Sequence, residues 1–557
     1  MESKALNHLL SWYVIGASIS VSLFVSPWNS IDPVNLPKLM LLGILGSIAG
    51  GLAFGRKAFL KNRSTRSFIV LVFAFITWLI MAFFVGQQDL AFKLYGTAGR
   101  NTGTLAYICL TLILFASAVS ATKDTLKKYS YSILGVGALL GSYGFAQSLG
   151  LDFFDYVNAY GTNVFGTFGN PNFQSAFMGM VAAVAVTLVL FSSIKIWIRV
   201  GLLFVAGLAL FNVTLSSEQG YLNFLAGVIA SLLFFLFSKK NFLAGWAVLT
   251  VSSLGGFVLL LGIFNQGPLA DIIYKSSLQA RGFYWRAAVK MILDNPLFGV
   301  GPEGFGDWYR RSRSAADAAV NYGIAADTAH SVPLDIGASG GVPLLLLYLA
   351  LMGLGLLAII KISKRATEFD VVFASIVAAW VAYQAQSVIS INQLGLGVWG
   401  WSLTGLLIGY EINSRDVAVE NLPKESRKTV AIKEKIPASA LLIAFAVGGA
   451  GFAVSLPPYL AANKYYKALQ SGDANVLIPA TYAKPYDRNR FLYTAQVLAE
   501  NKLDEQAIKL LRDASKIYPD SFDLWSRWAG IPTASPAEIA TAKAQMIRLD
   551  PYNPTIK

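Results

Sequence analysis

The sequence predicts an all-α protein: a polytopic bundle of about 13 transmembrane helices followed by a small helical domain. Three observations predict it. The 557 residues are 55% hydrophobic and only 14% charged, with a mean hydropathy of +0.54, whereas soluble chains are nearer a quarter charged. Apolar runs long enough to cross a bilayer as helices recur along most of the chain. The basic residues alternate with those runs in a way that gives the bundle a direction.

The expected spans are about 8–26, 37–54, 67–86, 103–120, 130–149, 173–193, 196–213, 220–238, 242–264, 342–360, 370–390, 394–412 and 437–456. Backbone groups in lipid must be satisfied internally, which makes each of them a helix. The first run leads into further spans and lacks a small-residue cleavage site, so it reads as an anchor.

With the N-terminus in the cytoplasm, 22 Lys/Arg fall in loops on that side, among them Arg56, Lys57, Lys61, Arg63 and Arg66, then Lys123, Lys127 and Lys128, and later Arg415, Lys424, Arg427 and Lys428. The short outer loops hold three, Lys38, Lys93 and Arg100. This is the positive-inside bias. It accounts for the net charge of +14 as an orientation signal, and nucleic acid is not expected as a partner. A long loop at 265–341 and the tail after about 457 then both lie outside the cytoplasm. The sole cysteine, Cys109, falls in a span, which excludes an internal disulfide and a cysteine-based metal or redox site.

Two domains are expected, 1–456 in the membrane and 457–557 outside it, with Pro457-Pro458 stopping the last span. In the tail, Pro485 and Pro519 stand 34 residues apart, the tetratricopeptide period. Ala507, Leu510, Leu511, Ala514 and Ile517 follow helical spacing. A tetratricopeptide-like tail is expected, with a small bundle packed on the membrane domain as the alternative.

The loop at 265–341 gathers the residues suited to chemistry. Residues 274–293 read as an amphipathic helix. At 100° per residue, Trp285 lies ~40° and Ile292 ~20° from Arg281, which puts Arg281 on the apolar face. An unpaired cation is costly there, so a carboxylate such as Glu303, backbone carbonyls or a bound phosphate must satisfy it. An arginine fork suits phosphate because it donates two parallel hydrogen bonds. Arg286 lies on another face with Lys290. His330 closes the loop, and an imidazole near neutral pH can accept or donate a proton. Further candidates for substrate contact at the same outer level are Arg100, Asn170, Asn172 and Gln219; helix capping or interhelical bonding is the competing role for each amide. No cofactor is expected. Neither a metal-ligand cluster nor a nucleotide-binding glycine pattern is visible.

Several ordered segments carry a family likeness. They are Gly166-Thr167-Phe168-Gly169-Asn170-Pro171-Asn172-Phe173; Arg281-Gly282-Phe283-Tyr284-Trp285, followed by Asn295-Pro296-Leu297-Phe298-Gly299-Val300-Gly301-Pro302; and Ala329-His330-Ser331 with Leu334-Asp335 and Gly340-Gly341-Val342-Pro343. In this order the chain resembles the O-antigen ligase and polymerase superfamily of bacterial membrane glycosyltransferases. The resemblance implies a GT-C-like bundle in the bacterial inner membrane. It implies a metal-independent, inverting transfer outside the cytoplasm. The donor would be a glycan on undecaprenyl diphosphate, and the acceptor a hydroxyl of a glycolipid, another glycan or a protein. By that resemblance Arg281 would hold the diphosphate, and His330 would act as base or orient acceptor or diphosphate. The tail would bind the acceptor or a protein partner.

This chain departs from the pattern at Ser216-Ser217-Glu218-Gln219-Gly220, which lacks the family's arginine, and at Ser331 and Ser339, which stand for Asn and Glu. Ligase, polymerase and protein O-oligosaccharyltransferase remain open within the class. A flippase or transporter for lipid-linked sugars, or an assembly scaffold built around the tail, are the rivals outside it.

Overall fold

The computed structural model describes residues 4–26, 31–154, 161, 163–273, 276–420 and 436–556. Asp155, the start of the helix expected at 274, and most of the basic 413–436 linker, including Lys424, Arg427, Lys428, Lys433 and Lys435, lie outside the described residues.

The fold is all-helical. Each expected span coincides with a helix. These are α1 (Lys4–Leu23), α2 (Asn35–Phe54), then, after the short α3 (Lys57–Lys61), α4 (Arg66–Val85). After a short α5 (Leu90–Tyr95) come α6 (Thr104–Ser120), α7 (Lys123–Ser148), α8 (Pro171–Phe191), α9 (Ile196–Ser216), α10 (Gln219–Ser238) and α11 (Phe242–Ile263). Beyond the long loop run α16 (Val332–Arg365), α17 (Val371–Ile389), α18 (Leu394–Glu420) and α19 (Ala438–Gln470). Among the described residues, ten helices are long and apolar enough to span a membrane; α6, α7 and α18 are shorter or more polar.

Small residues set the packing. α2 lies between α6 and α19, and α8 between α9, α10 and α17. Along α2, a Cβ at Gly51 would stand 2.6 Å from the Ala444 backbone, and one at Gly43 2.5 Å from the Ser455 side chain. Backbones can approach this closely in a bilayer only over glycine, alanine and serine. Lys38 is fully buried and does not face an outer loop as its position suggested. Its Nζ donates to the carbonyls of Val21, Ser22 and Phe24 at 2.9, 2.6 and 2.9 Å. It caps the carboxyl end of α1, where a cation complements the helix dipole.

Pro457-Pro458 does not stop the last span. α19 continues through both prolines to Gln470. A proline at 458 removes the partner of the Val454 carbonyl four residues back, and the Tyr95 hydroxyl donates to that carbonyl at 2.9 Å. A neighbouring loop thus supplies the bond that the helix loses.

The loop between α11 and α16 is folded. It holds α12 (Ala270–Ile273), α13 (Ser276–Asp294), α14 (Phe305–Ser312) and α15 (Ala315–Asn321). Ala287, Ala288, Met291, Val300, Phe305, Tyr309 and Ala329 give it a small core of its own. The tail consists of α20 (Ala474–Thr481), α21 (Arg488–Glu500), α22 (Asp504–Ile517), α23 (Phe522–Ala529) and α24 (Pro536–Leu549). α21 packs on α22, and α23 on α24, around Phe491, Leu498, Leu511, Leu524 and Trp528. Phe92 of α5 joins the same cluster, so the α4–α6 connection, the folded loop and the tail meet at one end of the bundle.

Candidate active site at one end of the bundle

Two backbone turns fix the site. Gly299 and Gly341 both adopt left-handed φ values, +61° and +74°, which favour glycine. Gly341 breaks α16 into two helical limbs. The turn at 296–300 is laced onto that break: Val300 N donates to Ala338 O at 2.7 Å and Val342 N to Pro296 O at 2.8 Å. A Cβ at Gly299 would stand 2.1 Å from Ala338 O, and one at Gly341 2.4 Å from Leu297 O. Trp78 of α4 donates its indole N–H to Gly340 O at 2.9 Å and Leu297 O at 3.2 Å. The C-terminal end of α13 and the start of α16 are thereby held together, and with them Arg281 and His330.

His330 sits in the turn before α16 with φ +51°, an uncommon conformation for a non-glycine residue. Its backbone N–H donates to Thr328 Oγ1 at 3.2 Å. Its Nδ1 lies 3.0 Å from that hydroxyl and 3.4 Å from the Thr328 carbonyl. A carbonyl can only accept, so this contact favours the tautomer with the proton on Nδ1 and a lone pair on Nε2. Asp335, in the first turn of α16, accepts from Ala329 N at 2.6 Å and braces the same turn. The imidazole packs against Tyr284 at 5.1 Å between ring centres. Burial lowers the pKa of His330 below its ordinary value. The Thr328 bond and Asp327 oppose that shift, and the positive charges of Arg281 and Arg100 add to it.

Arg281 and Tyr284 stand on one face of α13, three residues apart. The Arg281 Nε is buried and has no hydrogen-bond partner among the described residues. Burial lowers its pKa, with a partial offset from Tyr284, and burial raises that of Tyr284. Glu303, the carboxylate considered for Arg281, belongs to Arg100 instead. The two form an ion pair with both side chains under a tenth exposed. Glu303 also accepts from Thr97 N and Oγ1, each at 3.0 Å, and from Thr102 Oγ1 at 3.1 Å. Arg100 reaches Asp327 at 3.2 Å as well. Burial opposes the charge on Arg100, but Glu303, Asp327 and Asp335 outweigh it and raise the pKa.

Of the other residues singled out from the sequence, Arg286 is bound by Asp317, with Nε–Oδ2 3.1 Å and Nη2–Oδ1 2.8 Å. Its guanidinium also lies 5.0 Å from the centre of the Phe283 ring. Asn170 caps α8 by accepting from Asn172 N at 2.8 Å. Gln219 is buried at the start of α10, its Nε2 without a partner among the described residues. His330 touches Thr328 and Tyr284 and lies in the field of Arg281, Asp327 and Arg100; the three amides are not among these groups. The sequence reading missed Tyr284 as the link between the two candidates. Its spacing of three from Arg281 was the available signal. It also missed the bracing roles of Thr328 and Asp335.

The bundle and this cluster define a multi-pass helical membrane protein with a polar, cationic site at one end, which includes an arginine whose buried Nε has no hydrogen-bond partner among the described residues. Residues 214–349 match the family model described as O-antigen ligase. Over that segment the chain is similar to the O-antigen ligase family. The segment runs from the end of α9 into α16 and contains Arg281, Tyr284, Gly299, His330 and Gly341. Comparison with curated proteins gives no match.

Proposed function

We propose that this protein is a glycosyltransferase of the bacterial cytoplasmic membrane. It moves a glycan from undecaprenyl diphosphate to a hydroxyl acceptor outside the cytoplasm, with the tail on that side. The observation that carries this reading is the buried Arg281 Nε, without a partner among the described residues, near an imidazole whose Nε2 can take a proton. The acceptor oxygen attacks the anomeric carbon as the bond to the diphosphate oxygen breaks, with inversion. The hydroxyl proton passes to His330 Nε2, and the charge developing on the leaving diphosphate is met by Arg281. Arg100 and Arg286 are held by carboxylates and shape the site's field rather than grip the donor. A tetratricopeptide-like tail suits a glycan or protein acceptor.

The test is to incubate purified protein with synthetic undecaprenyl-diphosphate oligosaccharide and candidate acceptors, with and without a chelator. Glycosylated acceptor and free undecaprenyl diphosphate should form at equal rates. His330→Ala should slow transfer by a factor on the order of 10² or more. Wild-type rates from that variant would remove the proposed base.

A further inference from the structure

Helix α14 faces two ways. On one side Phe305 and Tyr309 are buried in the loop core. Tyr309 meets Tyr284 edge to face at 5.5 Å, and Tyr284 in turn lies against His330. On the other side Arg310, Arg311 and the following Arg313 reach the tail. Both Asp550 oxygens accept from Arg313 Nη2 at 2.7 Å, with the two side chains 1% and 0% exposed. Arg313 also donates to Tyr322 O at 3.2 Å. Arg311 bonds Asp520 at 3.0 Å. From the tail, Arg488 returns a bond to Asp307 of α14 at 2.5 Å.

Asp520 and Asp550 lie in the turns that follow α22 and α24, the second helices of the two hairpins. Successive units of the tail therefore present an acid to one basic helix. A buried ion pair adds little net stability over apolar packing, but it penalises any other geometry strongly. Such a set of pairs specifies where α14 sits.

We infer that the tail is a positioning element of the candidate site: Arg313–Asp550, with Arg311–Asp520 and Arg488–Asp307, holds α14 so that Tyr309 keeps Tyr284 against His330. Arg313 and Asp550 act through Tyr309 and touch no substrate. The inference rests on the transferase reading only for its catalytic readout.

Its test uses the full chain in detergent, in a His8→Gln background where His330 is the one remaining histidine. Modification of His330 by diethyl pyrocarbonate, followed by peptide mass, reports how open the imidazole is. Asp550→Asn should raise that rate at least tenfold, with helix content unchanged. Asp550→Glu should bring the rate back to within about twofold of the parent. Asp520→Asn, a milder change, should raise it two- to threefold and serves if Asp550→Asn does not fold. In transfer assays, kcat should fall with little change in donor KM. The acid limb should move up towards the ordinary histidine range as water reaches His330 among Arg281, Tyr284, Asp327, Thr328 and Arg100. Unchanged modification rates in Asp550→Asn and Asp520→Asn would overturn the inference and leave the transferase reading intact. Raised modification rates in those variants, with a wild-type protein that transfers nothing, would uphold the inference and sink that reading.

Discussion

Replacing Arg281 by Gln should make the free protein more stable and the proposed transfer much slower. The guanidinium lies half-buried on α13, its Nε desolvated and without a partner among the described residues. Burial without a counter-charge costs several kcal/mol for a fully enclosed ion. Half-burial and the neighbouring Tyr284 reduce that to an expected ~1–2 kcal/mol. For a chain of this size, an unfolding entropy of roughly 2 cal/mol/K per residue turns this into a rise in Tm of about 1–2 °C. The same change removes the cation at the developing diphosphate, which should slow transfer by about 10²–10³-fold. A thermal-shift assay in detergent separates the two effects. Undecaprenyl diphosphate at about 100 times its Kd should stabilise the wild type by ~2.7 kcal/mol and leave Arg281→Gln unmoved. A variant less stable than wild type, or one that keeps the ligand shift, would refute the reasoning that this arginine is held in readiness for an anion.

Other consequences are open to measurement. His330 must be neutral to accept a proton, and its pKa is lowered by burial. Transfer should therefore persist as pH falls through about 6.5, the ordinary histidine value, and be lost only below it; a rate profile that falls off above that value contradicts the assignment. Gly299→Ala puts a Cβ against the Ala338 carbonyl at a residue with φ +61°, and should cost on the order of 1–3 kcal/mol, read as a lower Tm with reduced transfer. Tyr95→Phe leaves the Val454 carbonyl without its hydroxyl donor and should cost ~0.5–1.5 kcal/mol, seen as faster amide exchange around Pro457-Pro458. An unchanged exchange pattern would mean that the proline pair is accommodated some other way.

The spans were legible because lipid leaves an apolar run of ~20 residues few alternatives to a helix. The amphipathic reading of 274–293 also matched, with α13 described from Ser276. Pairings across long separations were not legible. Glu303 is 22 residues from Arg281 and 203 from Arg100. Only the folded turn at 299–303 decides which of the two it meets. Pro457-Pro458 carried the usual signal for the end of a helix, and a tyrosine 359 residues away in sequence overrode it. Arg313 and Asp550 drew no notice, because local composition says nothing about a partner 237 residues distant. The amide candidates Asn170, Asn172 and Gln219 were chosen by their level along the bundle, a coordinate that ranks depth but not neighbours.

The clasp between the 296–300 turn and the break at Gly341 separates two kinds of sequence freedom. The segment between its jaws leaves and returns at nearly the same point, so its middle can lengthen, shorten or change composition while the backbone anchors stay put. Gly323, where a Cβ meets nothing within 4 Å, marks such an open point. Insertions there would vary what approaches the imidazole from outside, without altering its distance to the guanidinium on α13. A descendant could thus acquire a new acceptor preference by editing one excursion, with the donor-facing geometry inherited whole.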